Sequence, residues 1–158
     1  MTSPTILTLT CLAALASGFP DGAPVDTCVK PRVNQPYHGQ ARSQPLASNP
    51  YQVIASSDNY RPGSQITVKI QGANFKGFFL QARDAQTNEW IGSWAKTANT
   101  NAHHECSAVT HNDPRDKQLA TLLWNAPQNG RVGTVYFTGT ILKNYSTFWS
   151  DIVSQVGR

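Results

Sequence analysis

The stretch Phe75-Lys76-Gly77-Phe78-Phe79-Leu80-Gln81-Ala82-Arg83 is the densest apolar run beyond the first eighteen residues, and it alternates. In an extended strand Phe78, Leu80 and Ala82 project to one side, and Phe79, Gln81 and Arg83 to the other. That pattern predicts a half-buried strand, with Phe78 and Leu80 on a core and the Arg83 end of the second face in water. Gly77 stands where the strand begins, a position that calls for a bulge or a close backbone approach.

Shorter strands with turn signals between them surround this run. Tyr51–Ala55 is the first. Arg61-Pro62-Gly63-Ser64 places Pro and Gly at the centre of a type II turn. Ile66, Val68 and Ile70 alternate with Thr67, Lys69 and Gln71. After the central strand, Thr87-Asn88 turns the chain. Trp90–Trp94 and Cys106–Thr110 read as short strands. Leu122 and Trp124 alternate with Thr121, Leu123 and Asn125, and Val135, Phe137 and Ile141 with Thr134, Tyr136, Thr138 and Thr140. Pro127-Gln128-Asn129-Gly130 between them predicts a hairpin, since Asn-Gly favours positive φ. Phe148–Val156 is the one segment read as a helical turn. By contrast, residues 21–49 carry Pro24, Pro31, Pro36 and Pro45 among Gly, Ser, Gln and Arg, which excludes helix and predicts an extended arm lying over the domain. The expected fold is all-β: an antiparallel immunoglobulin-like β-sandwich of about seven to eight strands with an irregular N-terminal arm.

Residues 1–18 contain no charged side chain, and Ile6–Leu15 is apolar over a length that suits a signal peptide and is too short to span a bilayer. Small residues at Ala16-Ser17-Gly18 supply a cleavage site, although the usual early Lys or Arg is missing. The expectation is a signal peptide at 1–18, a single domain at 19–158, and a secreted, extracellular protein with no transmembrane segment. Cleavage removes Cys11 and leaves Cys28 and Cys106, an even pair in an oxidising compartment, which predicts a disulfide. It would close a loop of roughly 80 residues and contribute on the order of 4 kcal/mol.

Six stretches, in order, resemble the reeler domain family. They are Phe19-Pro20-Asp21-Gly22-Ala23-Pro24, Tyr60-Arg61-Pro62-Gly63, Lys76-Gly77-Phe78-Phe79-Leu80-Gln81-Ala82-Arg83, Val109-Thr110-His111 after Cys106, Trp124-Asn125-Ala126-Pro127, and Phe148-Trp149. The resemblance covers the chain from Phe19 onward and implies an extracellular β-sandwich module. A chain that is little more than one such module is similar to small secreted insect defence proteins. Reeler domains also occur in longer chains with haem-binding transmembrane modules that act as ferric reductases. Those modules are absent from this sequence, so no redox activity carries over.

Catalytic signals are lacking: there is no nucleophile elbow, Gly-rich phosphate loop or HExxH, and no spacing links Ser, His and Asp. An enzyme is therefore not expected, nor a cofactor. His103-His104-Glu105-Cys106 with His111 invites a zinc reading. Adjacent histidines on a strand face opposite ways, however, and Cys106 is committed to a disulfide, so no metal is expected. For His111 a structural hydrogen bond is expected. The formal charge of +4 suits an anionic partner and serves solubility equally well.

The resemblance implies binding of microbial surface components such as lipopolysaccharide, lipoteichoic acid or β-glucan, or contact with the haemocyte surface. Nucleic acid is not an expected partner. Cationic side chains would meet lipid phosphates and aromatics would lie on sugar rings. Lys76, Arg83 and Lys143, with Trp90 and Trp149, are the candidate ligand-binding residues. Asn144-Tyr145-Ser146 is a glycosylation sequon. The competing reading is a matrix or protein-adhesion module with no glycolipid ligand.

Mass spectrometry of non-reduced peptides from the secreted protein is expected to recover Cys28 and Cys106 in one linked species. Recovery of both as free thiols would remove the covalent frame.

Overall fold

A computed structural model describes residues 19–158; the signal peptide expected at 1–18 lies outside the described residues. Among the described residues eleven strands form two sheets: β1 (Tyr51–Ala55), β2 (Asn59–Tyr60), β3 (Gln65–Gly72), β4 (Gly77–Asp84), β5 (Ser93–Trp94), β6 (Thr100–His103), β7 (Ala108–His111), β8 (Ala120–Asn125), β9 (Gly133–Leu142), β10 (Phe148–Val153) and β11 (Gln155–Val156). Among the described residues the only helical elements are short 3₁₀ turns at Val25–Cys28, Leu46–Ser48 and His104–Cys106. One sheet has the order β11-β1-β3-β8-β5; the other runs β10-β9-β4-β7-β6, with β2 on the start of β9. Every pairing is antiparallel except β1 with β11.

The inner faces follow the alternation of the sequence. Phe78, Leu80 and Ala82 of β4 meet Val53, Val68, Ile70, Leu122 and Trp124 of the opposite sheet in one buried cluster. The turn at Arg61–Ser64 closes with Ser64 N–H on the Arg61 carbonyl at 3.0 Å, and Gly63 takes the positive φ of 74° that a type II turn needs.

The outer face of β4 is not wet, contrary to the alternation. Gln81 is 1% exposed, and Phe79 joins a second buried cluster with Cys28, Cys106 and Ala108. The cover is the N-terminal arm, which forms a third, irregular layer. Its hold is largely polar. Asn34 receives a hydrogen bond from Gln81, donates Nδ2 to Asp151, and accepts at its carbonyl from Thr140 Oγ1 (2.6 Å). Ala23 N–H donates to Thr110 Oγ1 at 3.0 Å, and Ser150 N–H to Ser43 Oγ at 2.8 Å. Polar side chains that alternation assigns to solvent are thus hydrogen-bonded to a backbone that cannot join a sheet. The Cys28–Cys106 disulfide fixes this layer, with Cα atoms 6.3 Å apart and a sequence separation of 78.

Two further expectations are corrected. Pro127–Gly130 makes no hairpin, because β8 and β9 lie in different sheets; the segment crosses the sandwich, and neither Asn129 nor Gly130 takes positive φ. Phe148–Val156 is extended rather than helical, since β10 pairs along β9. A bulge between Trp149 and Ile152, with Asp151 at φ 60°, breaks the simple alternation there.

Leu80→Ala is expected to cost roughly 2–5 kcal/mol in urea unfolding, as truncation of a fully buried Leu does. Arg83→Ala, which removes a partly exposed cation from an aromatic ring, is expected to cost about 1 kcal/mol. Equal shifts would contradict the facing of β4.

Candidate ligand-binding site

Where the arm leaves the sheet, a cavity of about 430 Å³ opens between them. Phe19, Pro36 and Tyr37 wall it from the arm; Phe79 and Leu142 wall it from β4 and β9. Gly77 is required beside it, since a Cβ there would lie 2.6 Å from the His111 ring. His111 Nδ1 accepts the Phe78 N–H at 3.1 Å, and burial holds its pKa below the usual histidine value. It is structural, as its sequence position implied.

The cations sort by what already holds them. Lys117 Nζ donates to the carbonyls of Lys76 (2.8 Å), Asp113 (2.9 Å) and Arg115 (2.8 Å) and pairs with the Asp113 carboxylate. Hydrogen bonds from Arg115 and Lys117 keep that carboxyl well below the usual range. Arg131 is held by Asp84. Lys76 is different: it lines the cavity, is solvent-exposed, and makes a single exposed ion pair with Asp116 at 3.5 Å. Such pairs contribute little. Lys143 makes no ion pair among the described residues and sits between two lining residues, Leu142 and Asn144. The β4–β9 pairing ends with Gly77 opposite Leu142, and Lys76 and Lys143 adjoin that last pair at the same end of the sheet. A third cation, Lys30, lies 3.6 Å from the ring centroid of Tyr37 on the cavity wall.

The remaining candidates lie elsewhere. Arg83 stacks over Trp90, 4.8 Å from its ring centre, and donates to Gln81 and to the Asn88 carbonyl. Trp90 is half-exposed, with its indole N–H on Gln81 at 2.8 Å. This pair sits at the far end of β4 from Lys76, about 23 Å away at the rise of a strand. Trp149 is corrected: it is 7% exposed, packs edge-on against Tyr51, and donates its indole N–H to Ser48, so it is not a ligand-stacking surface. Asn144 occupies the exposed turn after β9, its Oδ1 accepting from Ser146, at the mouth of the cavity. His103 donates from Nε2 to the Ala23 carbonyl at 2.7 Å, so it pins the arm. Among the described residues no three His, Cys, Asp or Glu side chains cluster as metal ligands.

Alternation along strands could not show the cavity, because it forms between a strand and a segment without regular structure. The one available signal was Phe79, a large apolar side chain on the face that otherwise reads as polar.

Two sheets and a disulfide-anchored arm with a cavity beneath it make a β-sandwich of the reeler type. The reeler domain model matches residues 29–157, and the chain belongs to that family. It is 38% identical over 149 residues to Putative defense protein 3 of Antheraea mylitta, covering 89% of this chain and 86% of that protein. It is 33% identical to Putative ferric-chelate reductase 1 of Danio rerio, but spans only 22% of that protein's length. The crystal structure of the Reelin-N domain of F-spondin shares the fold, with a TM-score of 0.56 at 21% identity over 75% of this chain and 91% of that one. Among the described residues no helix is long and apolar enough to cross a membrane.

Among the described residues one buried carboxylate, Asp84, remains, and it is structural. Asp84 accepts hydrogen bonds from the Gln86 and Thr87 amides (2.8 and 3.0 Å), the Tyr60 hydroxyl (2.9 Å) and Arg131 (3.0 Å). Burial alone would raise its pKa; those donors outweigh it and bring it down to about 2 from 3.8. Because the folded value lies below the unfolded one, the stabilisation is complete above the unfolded pKa and is lost as pH falls from about 4 towards 2. Urea midpoints measured across that window should fall for the parent chain, and fall less steeply for Asp84→Asn. Equal slopes would show that Asp84 is not a principal source of the acid sensitivity.

Proposed function

We propose that this chain is a secreted, non-enzymatic defence protein that binds anionic glycolipid of microbial surfaces, of the lipopolysaccharide or lipoteichoic acid type, at the seam between arm and sheet. The observation that carries the reading is Lys76, an exposed cation with only one exposed ion pair on the wall of an apolar cavity, with a second exposed cation, Lys143, following β9 at the same end of the sheet. The similarity to proteins named for defence supports the role, and the disulfide-linked Cys28 and Cys106 suit an oxidising compartment. Each lysine–phosphate contact is weak, and an array on a repeating surface gains by multivalency.

The test is a Lys30/Lys76/Lys143→Ala variant, checked for an unchanged melting temperature and titrated against lipopolysaccharide and lipoteichoic acid at two salt concentrations. The parent is expected to bind both, more weakly at high salt because exposed charges are screened. The folded variant is expected to lose most of that binding and its salt dependence. If the parent binds neither ligand at low salt, the glycolipid reading fails and a protein partner takes its place.

A further inference from the structure

We infer that the cavity under the arm is an acyl-chain site: it takes one hydrocarbon chain of an anionic amphiphile and leaves the head group between Lys76 and Lys143. The inference rests on the glycolipid reading and specifies which part of the ligand enters the protein. Three independent features meet here. The volume, about 430 Å³, lies in the range of small-molecule pockets and is far larger than a packing defect. The walls are mainly hydrocarbon and aromatic, with Phe19, Pro36, Tyr37, Phe79 and Leu142 offering no charge to a ligand. The charge that is present sits at the mouth, on Lys76 and beside it on Lys143. A free sugar would find few hydrogen-bond partners on such walls, whereas a chain with an anionic end matches both parts.

Two further atoms fit the same occupant. Among the described residues, Thr27 Oγ1 and His38 Nδ1 are the buried side-chain polar atoms without a hydrogen-bond partner, and both residues belong to the cavity wall. Native structures rarely leave such groups unpaired. An ester, carboxyl or hydroxyl oxygen near the head of an acyl chain could pair with either after a small shift of the arm. His38 sits at the right seam for this, stacked on Tyr145 of the turn after β9, with ring centres 4.1 Å apart.

The test is displacement of the fluorescent fatty acid cis-parinaric acid, with the disulfide intact. Octanoate, decanoate and dodecanoate, each below its micellar concentration, are expected to displace it with affinity rising up to about fourfold per buried methylene. The rise should end when the cavity is full. Leu142→Trp, which fills the cavity from the sheet, and Pro36→Trp, which fills it from the arm, are each expected to abolish binding while keeping the parent's melting temperature. Lys76→Glu should weaken dodecanoate roughly two- to fivefold and leave dodecanol unchanged. Intact lipopolysaccharide should displace the probe and its deacylated form should not. Displacement by dodecanoate alone would support the site and assign it to single-chain lipids. No dependence on chain length, or undiminished binding in a folded cavity-filled variant, overturns the acyl site. If lipopolysaccharide still binds in that case, the surface reading survives without it; if neither binds, both fall.

Discussion

The contact on which the rest of the molecule depends is the seam between the N-terminal arm and the outer face of β4, β7, β9 and β10. Thr140, Thr110, Gln81 and Ser150 are buried there, though each is a residue that ordinarily faces water. They are tolerable only because the arm and their own sheet supply partners. Loss of the arm would expose Phe79 and Ala108 and leave an apolar strip on an otherwise polar sheet. The disulfide keeps that from happening. It joins the arm at Cys28 to the 3₁₀ turn that leads into β7, so the third layer cannot drift away in the folded state.

The inner half of the fold was legible because it obeys a period of two. Leu80, Val68, Leu122 and Trp124 stand on the faces that alternation gave them. The outer half was not, because an irregular segment has no period, and its effect on a strand is invisible in the strand. Gln81 reads as solvent-facing in any alternation rule, yet it is as buried as Phe78. Trp149 failed for a related reason. Next to a bulge, a residue's face does not follow from counting, and this indole turns into the core. Pro127–Gly130 carries the composition of a hairpin, but turn chemistry describes local geometry and cannot say which sheet the next strand joins.

The candidate site divides along the same line. Lys76 and Lys143 are far apart in sequence and become neighbours only through the β4–β9 register. Arg83 and Lys76 share a strand but lie at its opposite ends, and Arg83 is occupied by Trp90, Gln81 and Asn88. Lys117 and Arg131, equally basic in sequence, are spent on internal carbonyls and carboxylates. The net charge of +4 is therefore a poor guide to where an anion would go. What matters is which cations the fold has left without a strong partner, and that depends on tertiary pairing.

Why a cavity should form at this seam follows from the arm's own chemistry. Pro24, Pro31, Pro36 and Pro45 remove donors and fix φ, so the arm cannot continue the sheet as a strand or coil into a helix that would interdigitate with it. It touches the sheet where polar anchors reach: at Ala23, at Asn34 and at Ser43. To either side of the stretch pinned by Cys28 the chain stands off, and the gap is lined by Phe19 and Pro20 before it and by Pro36, Tyr37 and His38 after it. An unfilled apolar gap forfeits dispersion contacts on both walls, which a close-packed protein otherwise avoids. The cost is smaller at the edge of a sandwich than at its centre, because the main core between the sheets is complete without this region. The same stand-off leaves the end of β4 uncovered, and so leaves Lys76 in solvent beside the opening. Cavity and cation thus have one origin, the point at which a proline-rich segment parts from a sheet it can cover but cannot join.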